Sequence, residues 1–305
     1  MNTKGGSDGL EESQPQESQR VRQPVSGRTL GIRVLVGAIL IPLVLAVTYL
    51  GGIVFALFVA LLAGLGSYEF YKMASAVGWQ ASRTVGIVGS ICLCLAFHFG
   101  RGVLPALVLT AFLLVLLTER IVRSTREQYL SSLAVTLSGA IYSGWLLGFF
   151  LWLRNIAGDF SGMSQIGRFE IGTLLVYFVL ILTWSYDSVA YLVGSLVGRH
   201  KLFPRISPSK TTEGALAGLL GSVAAALISR ATFVPFLSYG HAIVLGFLIG
   251  VVAQIGDLAE SMIKRSTGAK DSSNLVPGHG GILDRFDSLL FAGPVFYLYV
   301  RFVLW

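Results

Sequence analysis

Long apolar runs recur along almost the whole chain, separated by short stretches rich in glycine and charge. Runs of this kind match the roughly 20 residues a helix needs to cross a bilayer. In hydrocarbon each crossing segment must satisfy its own backbone polar groups, which a helix does internally. The alternation expected of membrane β-strands is absent. The pattern therefore predicts an all-α polytopic integral membrane protein with about nine transmembrane helices, at 34–50, 53–66, 84–99, 102–117, 131–153, 172–197, 214–236, 241–256 and 288–304. The second run is short and can extend into "SYEFYKMA". Gly51-Gly52 and Gly100-Arg101-Gly102 read as tight turns.

Composition supports this reading. Of 305 residues, 54% are hydrophobic and 13% charged, against roughly 25% charged in soluble proteins. Residues 1–27, centred on "SQPQESQ", are polar and read as a disordered cytoplasmic tail. The first apolar run starts near Val34 and reads as a retained span rather than a cleavable signal. Residues 28–170 form an N-terminal membrane scaffold of about five helices. Residues 171–305 read as a second, C-terminal membrane domain of about four. Cys92 and Cys94 share one apolar run and read as small hydrophobic residues, not as a metal or disulfide framework.

The net charge of +7 does not point to nucleic acid, because the basic residues are spread over short loops. Assigning alternate loops to the two membrane faces puts 18 Lys and Arg on one side, against Arg101, Arg154 and Arg168 on the other. The positive-inside rule then places the N-terminus in the cytoplasm and Trp305 outside. From Ile171 onward every acidic residue falls at a cytoplasmic span end or in a cytoplasmic loop: Asp187, Glu213, Asp257, Glu260, Asp271, Asp284 and Asp287. Asp187 is the deepest, and an ionisable group at membrane depth points to function.

Three clusters carry the chemistry. In "WSYDSVAYLVGSLVGRHK", Asp187 and Tyr191 are four apart and share a helix face; a polar stripe gluing helices together has the same pattern. In "ISPSKTTEG", Ser207, Ser209, Lys210, Thr211 and Thr212 offer donors just before a helix, which suits an anion. Helix capping, with Ser209 to Thr212 as a box, accounts for Thr212 but not for Lys210. In "GDLAESMIKRSTGAKDSSNLVPGHGGILDRFDS", Asp257, Glu260, Ser261 and Lys264 fall at i, i+3, i+4 and i+7 on one face. Gly278, Gly280 and Gly281 let backbone N–H groups turn toward phosphate oxygens. Asp257 and Asp284 can bind Mg²⁺, and Asp287 can take a metal position or orient Arg285, whose fork suits phosphate. A solvated turn explains the polarity of this stretch but not its mixture of acids and bases. Phosphoryl or nucleotidyl transfer requires that mixture. Neither GxxxxGK[ST] nor GxGxxG after a strand is present. A phosphate nucleophile is already ionised, so His279 reads as a phosphate donor or supporting group rather than a base.

The third cluster resembles the signature of the phosphatidate cytidylyltransferase (CDP-diacylglycerol synthase) family. The matching residues are Ser261, Ile263, Lys264 and Arg265, then Lys270 and Asp271, then Pro277, His279, Gly280, Gly281, Ile282, Asp284, Arg285, Phe286 and Asp287. "SPSKTTEG" and "DSVAYLVG" are similar to two further family stretches. Val276, Ser209 and Ser272 depart from it: many members have a lysine at the second position and an aromatic at the third. The resemblance implies CTP and phosphatidate as substrates, CDP-diacylglycerol and pyrophosphate as products, and Mg²⁺ as cofactor, with one or two metals or an added monovalent cation. It implies catalytic roles for Lys264, Lys270, Asp271, His279 and Arg285. Ser207, Lys210, Thr211, Ser261, Gly280, Gly281, Asp187 and Tyr191 would bind substrate, and Asp257, Asp284 and Asp287 the metal.

Two other readings compete. A CTP-dependent polyprenol kinase would share the metal logic. A transporter would also place acids in the membrane, but usually with inverted repeats, and none is visible. The expected location is a bacterial plasma membrane with the site facing the cytoplasm. Oligomeric state is open, a homodimer included.

Overall fold

The computed structural model describes residues 27–100, 102–156, 165–273, 275 and 280–304. Residues 1–26 of the expected tail lie outside these, as do His279 and the three residues before it; Gly27 already belongs to α1. The described chain is almost wholly helical: α1 (Gly27–Leu50), α2 (Gly52–Ala76), α3 (Arg83–Phe99), α4 (Leu104–Arg123), α5 (Tyr129–Ala140), α6 (Leu146–Arg154), α7 (Ile171–Val197), α8 (Thr212–Thr232), α9 (Tyr239–Ser266) and α10 (Leu283–Tyr299). A π-helical turn, Ile141–Trp145, joins α5 and α6 into one segment, and a second, Val300–Leu304, continues α10. Among the described residues, seven segments are long and apolar enough to cross a membrane. The apolar parts of α1 (Val36–Leu50) and of α3 are shorter. The all-α membrane fold is as expected, and each apolar run has its helix.

Several helices outrun their hydropathy, two of them by about ten residues. Helix α2 continues through "SYEFYKMA" to Ala76, and α9 continues to Ser266 rather than ending near 256. Two small antiparallel hairpins were not legible: β1 (Gln165–Ile166) with β2 (Phe169–Glu170), and β3 (Lys201–Phe203) with β4 (Ser207–Thr211). The expected turn at Gly51-Gly52 is present, both residues having positive φ. A Cβ on Gly51 would fall 2.2 Å from the Arg154 guanidinium. That arginine, 4% exposed, donates to the carbonyl of Thr48 at 2.8 Å and pairs with Glu170 at 2.6 Å.

The last four helices pack through small residues, which let membrane helices approach closely. A Cβ on Gly214 would lie 2.7 Å from the Ala190 carbonyl, one on Gly246 2.7 Å from Val223 Cα, and one on Gly256 2.7 Å from the Asp287 carbonyl. These contacts make α7, α8, α9 and α10 antiparallel neighbours. The ends of α7 and α9 and the starts of α8 and α10 therefore share one end of the bundle. The β3–β4 hairpin sits there, tied to α9 by Arg265, whose Nε donates to the Ile206 carbonyl at 3.3 Å. One core, including Phe55, Phe150, Leu175, Phe178 and Phe296, runs through both halves of the chain.

Candidate active site

The polar side chains gather at that shared end. Because α9 stays helical to Ser266, Asp257, Glu260, Ser261 and Lys264 project from one face, as their spacing requires. Two connected groups form around them.

In the first, Lys264 Nζ lies 2.7 Å from Asp284 Oδ1 and also pairs with Glu260, whose side chain is only 1% exposed. The other oxygen of Asp284 accepts from the backbone N–H of Ser272 (3.0 Å), the hydroxyl of Ser272 (2.9 Å) and the backbone N–H of Gly281 (2.8 Å). Asp284 was expected first as a metal ligand; here both of its oxygens already engage protein donors. The Gly281 N–H was expected to face phosphate and is instead taken by Asp284. Gly280 has φ +83°, and a Cβ there would sit 2.7 Å from Asp284 Oδ2. Both glycines serve the fold of the loop.

In the second group, Asp187 of α7, Asp257 of α9 and Asp287 of α10 lie within electrostatic range of one another. Asp187 also has Ser288 beside it and Lys210 and Arg285 in range. Lys210 Nζ is 2.6 Å from Asp257 Oδ2, an ion pair off the line of a hydrogen bond. Ser261 Oγ approaches Asp257 at 3.4 Å, and the backbone N–H of Ser288 donates to Asp287 Oδ1 at 2.6 Å.

Some expected residues are placed elsewhere. Thr211 is buried and caps α8, its hydroxyl accepting from the backbone N–H of Gly214 at 3.2 Å. The cap is thus Thr211, not Ser209, and its oxygen is committed to the helix start. Tyr191, one turn after Asp187 on α7, is 78% exposed. Ser207 is half-buried on β4, its hydroxyl 3.4 Å from that of Ser209. Lys270, Asp271 and Arg285 are exposed at the rim, without an ion pair among the described residues.

Two residues of the first half reach this end, and neither was anticipated. Glu69 of α2, fully buried, accepts from Ser273 Oγ at 2.6 Å and from Ser272 Oγ, Ile282 N and Leu283 N at 2.9 Å each. Tyr142, on the first π turn, has Asp287, Glu260 and Asp257 in range of its hydroxyl, which has no hydrogen-bond partner among the described residues. A π turn inside a helix often marks a functional position. Buried charge from the first half of the chain therefore reaches this end as well.

Does the donor set fit a divalent cation? Glu260 and the three aspartates of the second group supply four carboxylates, against the buried ammonium groups of Lys210 and Lys264. Glu260 is already paired with Lys264, so the three aspartates are the more available donors. The excess of negative charge and the hard oxygen donors suit Mg²⁺. No three such groups are already drawn into a coordination sphere among the described residues. Mg²⁺ commonly takes one or two carboxylates and completes its shell with water and substrate phosphate, so the arrangement fits.

Comparison with known proteins bears on the family. The model of the cytidylyltransferase family matches residues 31–303. A phosphatidate cytidylyltransferase of Synechocystis is 33% identical over 292 residues, covering 89% of this chain and 97% of that protein. One from Bacillus subtilis is 30% identical over 247 residues, covering 79% and 87%. The Escherichia coli protein YnbB is 41% identical over 168 residues, 53% of each chain. On the extent of these matches, the chain belongs to the cytidylyltransferase family.

Proposed function

We propose that the protein transfers the cytidylyl group of CTP to phosphatidate, giving CDP-diacylglycerol and pyrophosphate. The observation that carries this is the convergence of Asp187, Asp257 and Asp287 with Lys210 at the shared end of α7–α10, in a chain matched over most of its length by phosphatidate cytidylyltransferases. An oxygen of the lipid phosphate attacks the α-phosphorus of CTP in line. The P–O bond to the β-phosphate breaks, and pyrophosphate leaves with the bridging oxygen. No general base is needed, because the nucleophile is already ionised.

Asp257 and Asp287, with Asp187 behind them, would hold Mg²⁺. The bound ion supplies charge stabilisation to the triphosphate and its leaving group. Lys210, ion-paired with Asp257, can turn to a phosphate oxygen. Lys264 keeps Glu260 and Asp284 together and so sets the loop. Arg285 and Lys270, exposed at the rim, are free to meet the incoming phosphates. Asp187 lies ten residues inside the end of α7, roughly 15 Å along the helix. A phosphate whose acyl chains stay in the bilayer can meet CTP at that depth.

A lipid kinase using CTP would transfer the γ-phosphate instead. Purified protein with phosphatidate and Mg²⁺ is expected to move label from the cytosine ring into lipid, and none from the γ-phosphate. The opposite pattern would establish the kinase.

We further place the site on the cytoplasmic face of a bacterial plasma membrane, from the bias of basic loops. In a Cys92→Ser/Cys94→Ala background, a cysteine replacing the exposed Lys201 should react with impermeant thiol reagents only from the cytoplasm. One replacing the exposed Arg168 should react only from outside. Labelling of position 201 in intact cells would reverse the orientation.

A further inference from the structure

We propose that Glu69 is a positioning residue for the reaction, holding the site loop and the start of α10 from the opposite half of the chain. This rests on the proposed transfer only for its kinetic readout. Its four donors lie in the site loop and at the start of α10. Ser272 and Ser273 follow Lys270-Asp271 directly, and Ile282 and Leu283 open α10. One carboxylate thus ties both stems of the loop. The first N–H groups of a helix have no partners within it, and a carboxylate there also meets the positive end of the helix dipole. Glu69 supplies both from another helix, a cap in trans.

The neighbouring contacts point the same way. A Cβ on Gly281 would lie 2.0 Å from Ser272 Oγ and 2.6 and 2.7 Å from the Glu69 oxygens. The backbone therefore passes directly against the carboxylate, in a place only glycine fits. The Ser272 hydroxyl lies 2.9 Å from both Glu69 Oε2 and Asp284 Oδ2, so its single proton bridges the two acids. Asp284 in turn holds Lys264. The chain of contacts runs from α2 through the loop to α9 and α10, the helices that carry Asp257, Arg285 and Asp287. Burying a carboxylate is costly unless it is fully hydrogen-bonded, and among the described residues the partners of Glu69 lie in the loop and at the start of α10.

The test is Glu69→Gln, which keeps size but presents an amide N–H₂ where the loop presents donors. Supporting groups of this kind typically cost about 10- to 100-fold in activity. The expected result is a fall of that size in kcat, with KM for CTP within about threefold, because alignment counts most in the transition state. Ser273→Ala should lower kcat less, and the double variant should fall short of the product of the two effects. Trypsin cleavage after the exposed Lys270 in detergent should quicken in Glu69→Gln while cleavage in the other loops stays unchanged. The cleavage readout needs no activity, so it judges Glu69 even if the proposed transfer is wrong. Wild-type kcat in a folded Glu69→Gln protein, or unchanged cleavage at Lys270, would overturn the proposal. So would strictly multiplicative effects of Glu69→Gln and Ser273→Ala, or uniform unfolding in which cleavage rises at every loop.

Discussion

Asp257→Asn is expected to lower cytidine transfer into lipid by about 100-fold or more, since removing a metal-binding carboxylate takes away several kcal/mol of charge stabilisation. The substitution keeps volume and removes one of the three aspartates that face one another across α7, α9 and α10. It also releases Lys210, now 2.6 Å away. Folding should survive, because the Asp257 side chain is 33% exposed and its loss relieves repulsion among like charges. Asp287→Asn should behave alike. In both variants part of the activity should return at raised Mg²⁺, the mark of weakened metal binding. Asp8→Asn, in the polar tail, is the control. The measurement is turnover against Mg²⁺ concentration at matched expression. Near wild-type turnover at low Mg²⁺ in both variants would make the aspartates partners of Lys210 and Arg285 in a structural network.

Lys264→Met should cost stability as well as activity. Its ammonium lies between the Glu260 and Asp284 carboxylates, with side chains 1% and 7% exposed. Removing the cation leaves two nearby acids without their shared counter-charge. Breaking a buried pair from one side costs about 3–5 kcal/mol. A clear drop in melting temperature in detergent is expected, together with loss of measurable transfer. Glu260→Gln added to Lys264→Met should restore much of the melting temperature, because one of the stranded charges is gone. It should not restore activity, because Asp284 and the loop remain unanchored. An unchanged melting temperature in Lys264→Met would show that the ion pairs do not hold the loop.

The hydropathy of the chain located each helix, and the spacing of Asp257, Glu260, Ser261 and Lys264 placed them on one face before any coordinates. Periodicity read these well because both signals are local. What escaped the sequence was long-range or ambiguous. Glu69 stands near the end of an apolar run in "SYEFYKMA", where a glutamate usually marks the water interface. Its partners lie 203 to 214 residues away, and nothing in the spacing announces them. The extension of that run past 66 was the available clue, since it keeps Glu69 within a helix flanked by buried side chains. The hairpin at 201–211 contains Pro204 and Pro208, residues that disfavour a strand interior and so mask so short a pairing. Thr211 stood out as a candidate substrate ligand and Asp284 as a candidate metal ligand. Their oxygens turned out to serve a helix cap and a loop, because any side chain that can bind a ligand can also satisfy the backbone beside it.

The most direct measurement follows the oxygen atoms. Phosphatidate carrying heavy oxygen in the non-ester positions of its phosphate, incubated with unlabelled CTP, Mg²⁺ and the purified protein, should give CDP-diacylglycerol that retains all of the label, including the bridge between its two phosphorus atoms. The pyrophosphate released with it should carry none, because attack by the lipid phosphate on the α-phosphorus breaks only a bond within CTP. Label in the pyrophosphate, or a product whose bridging oxygen comes from CTP, would contradict the account.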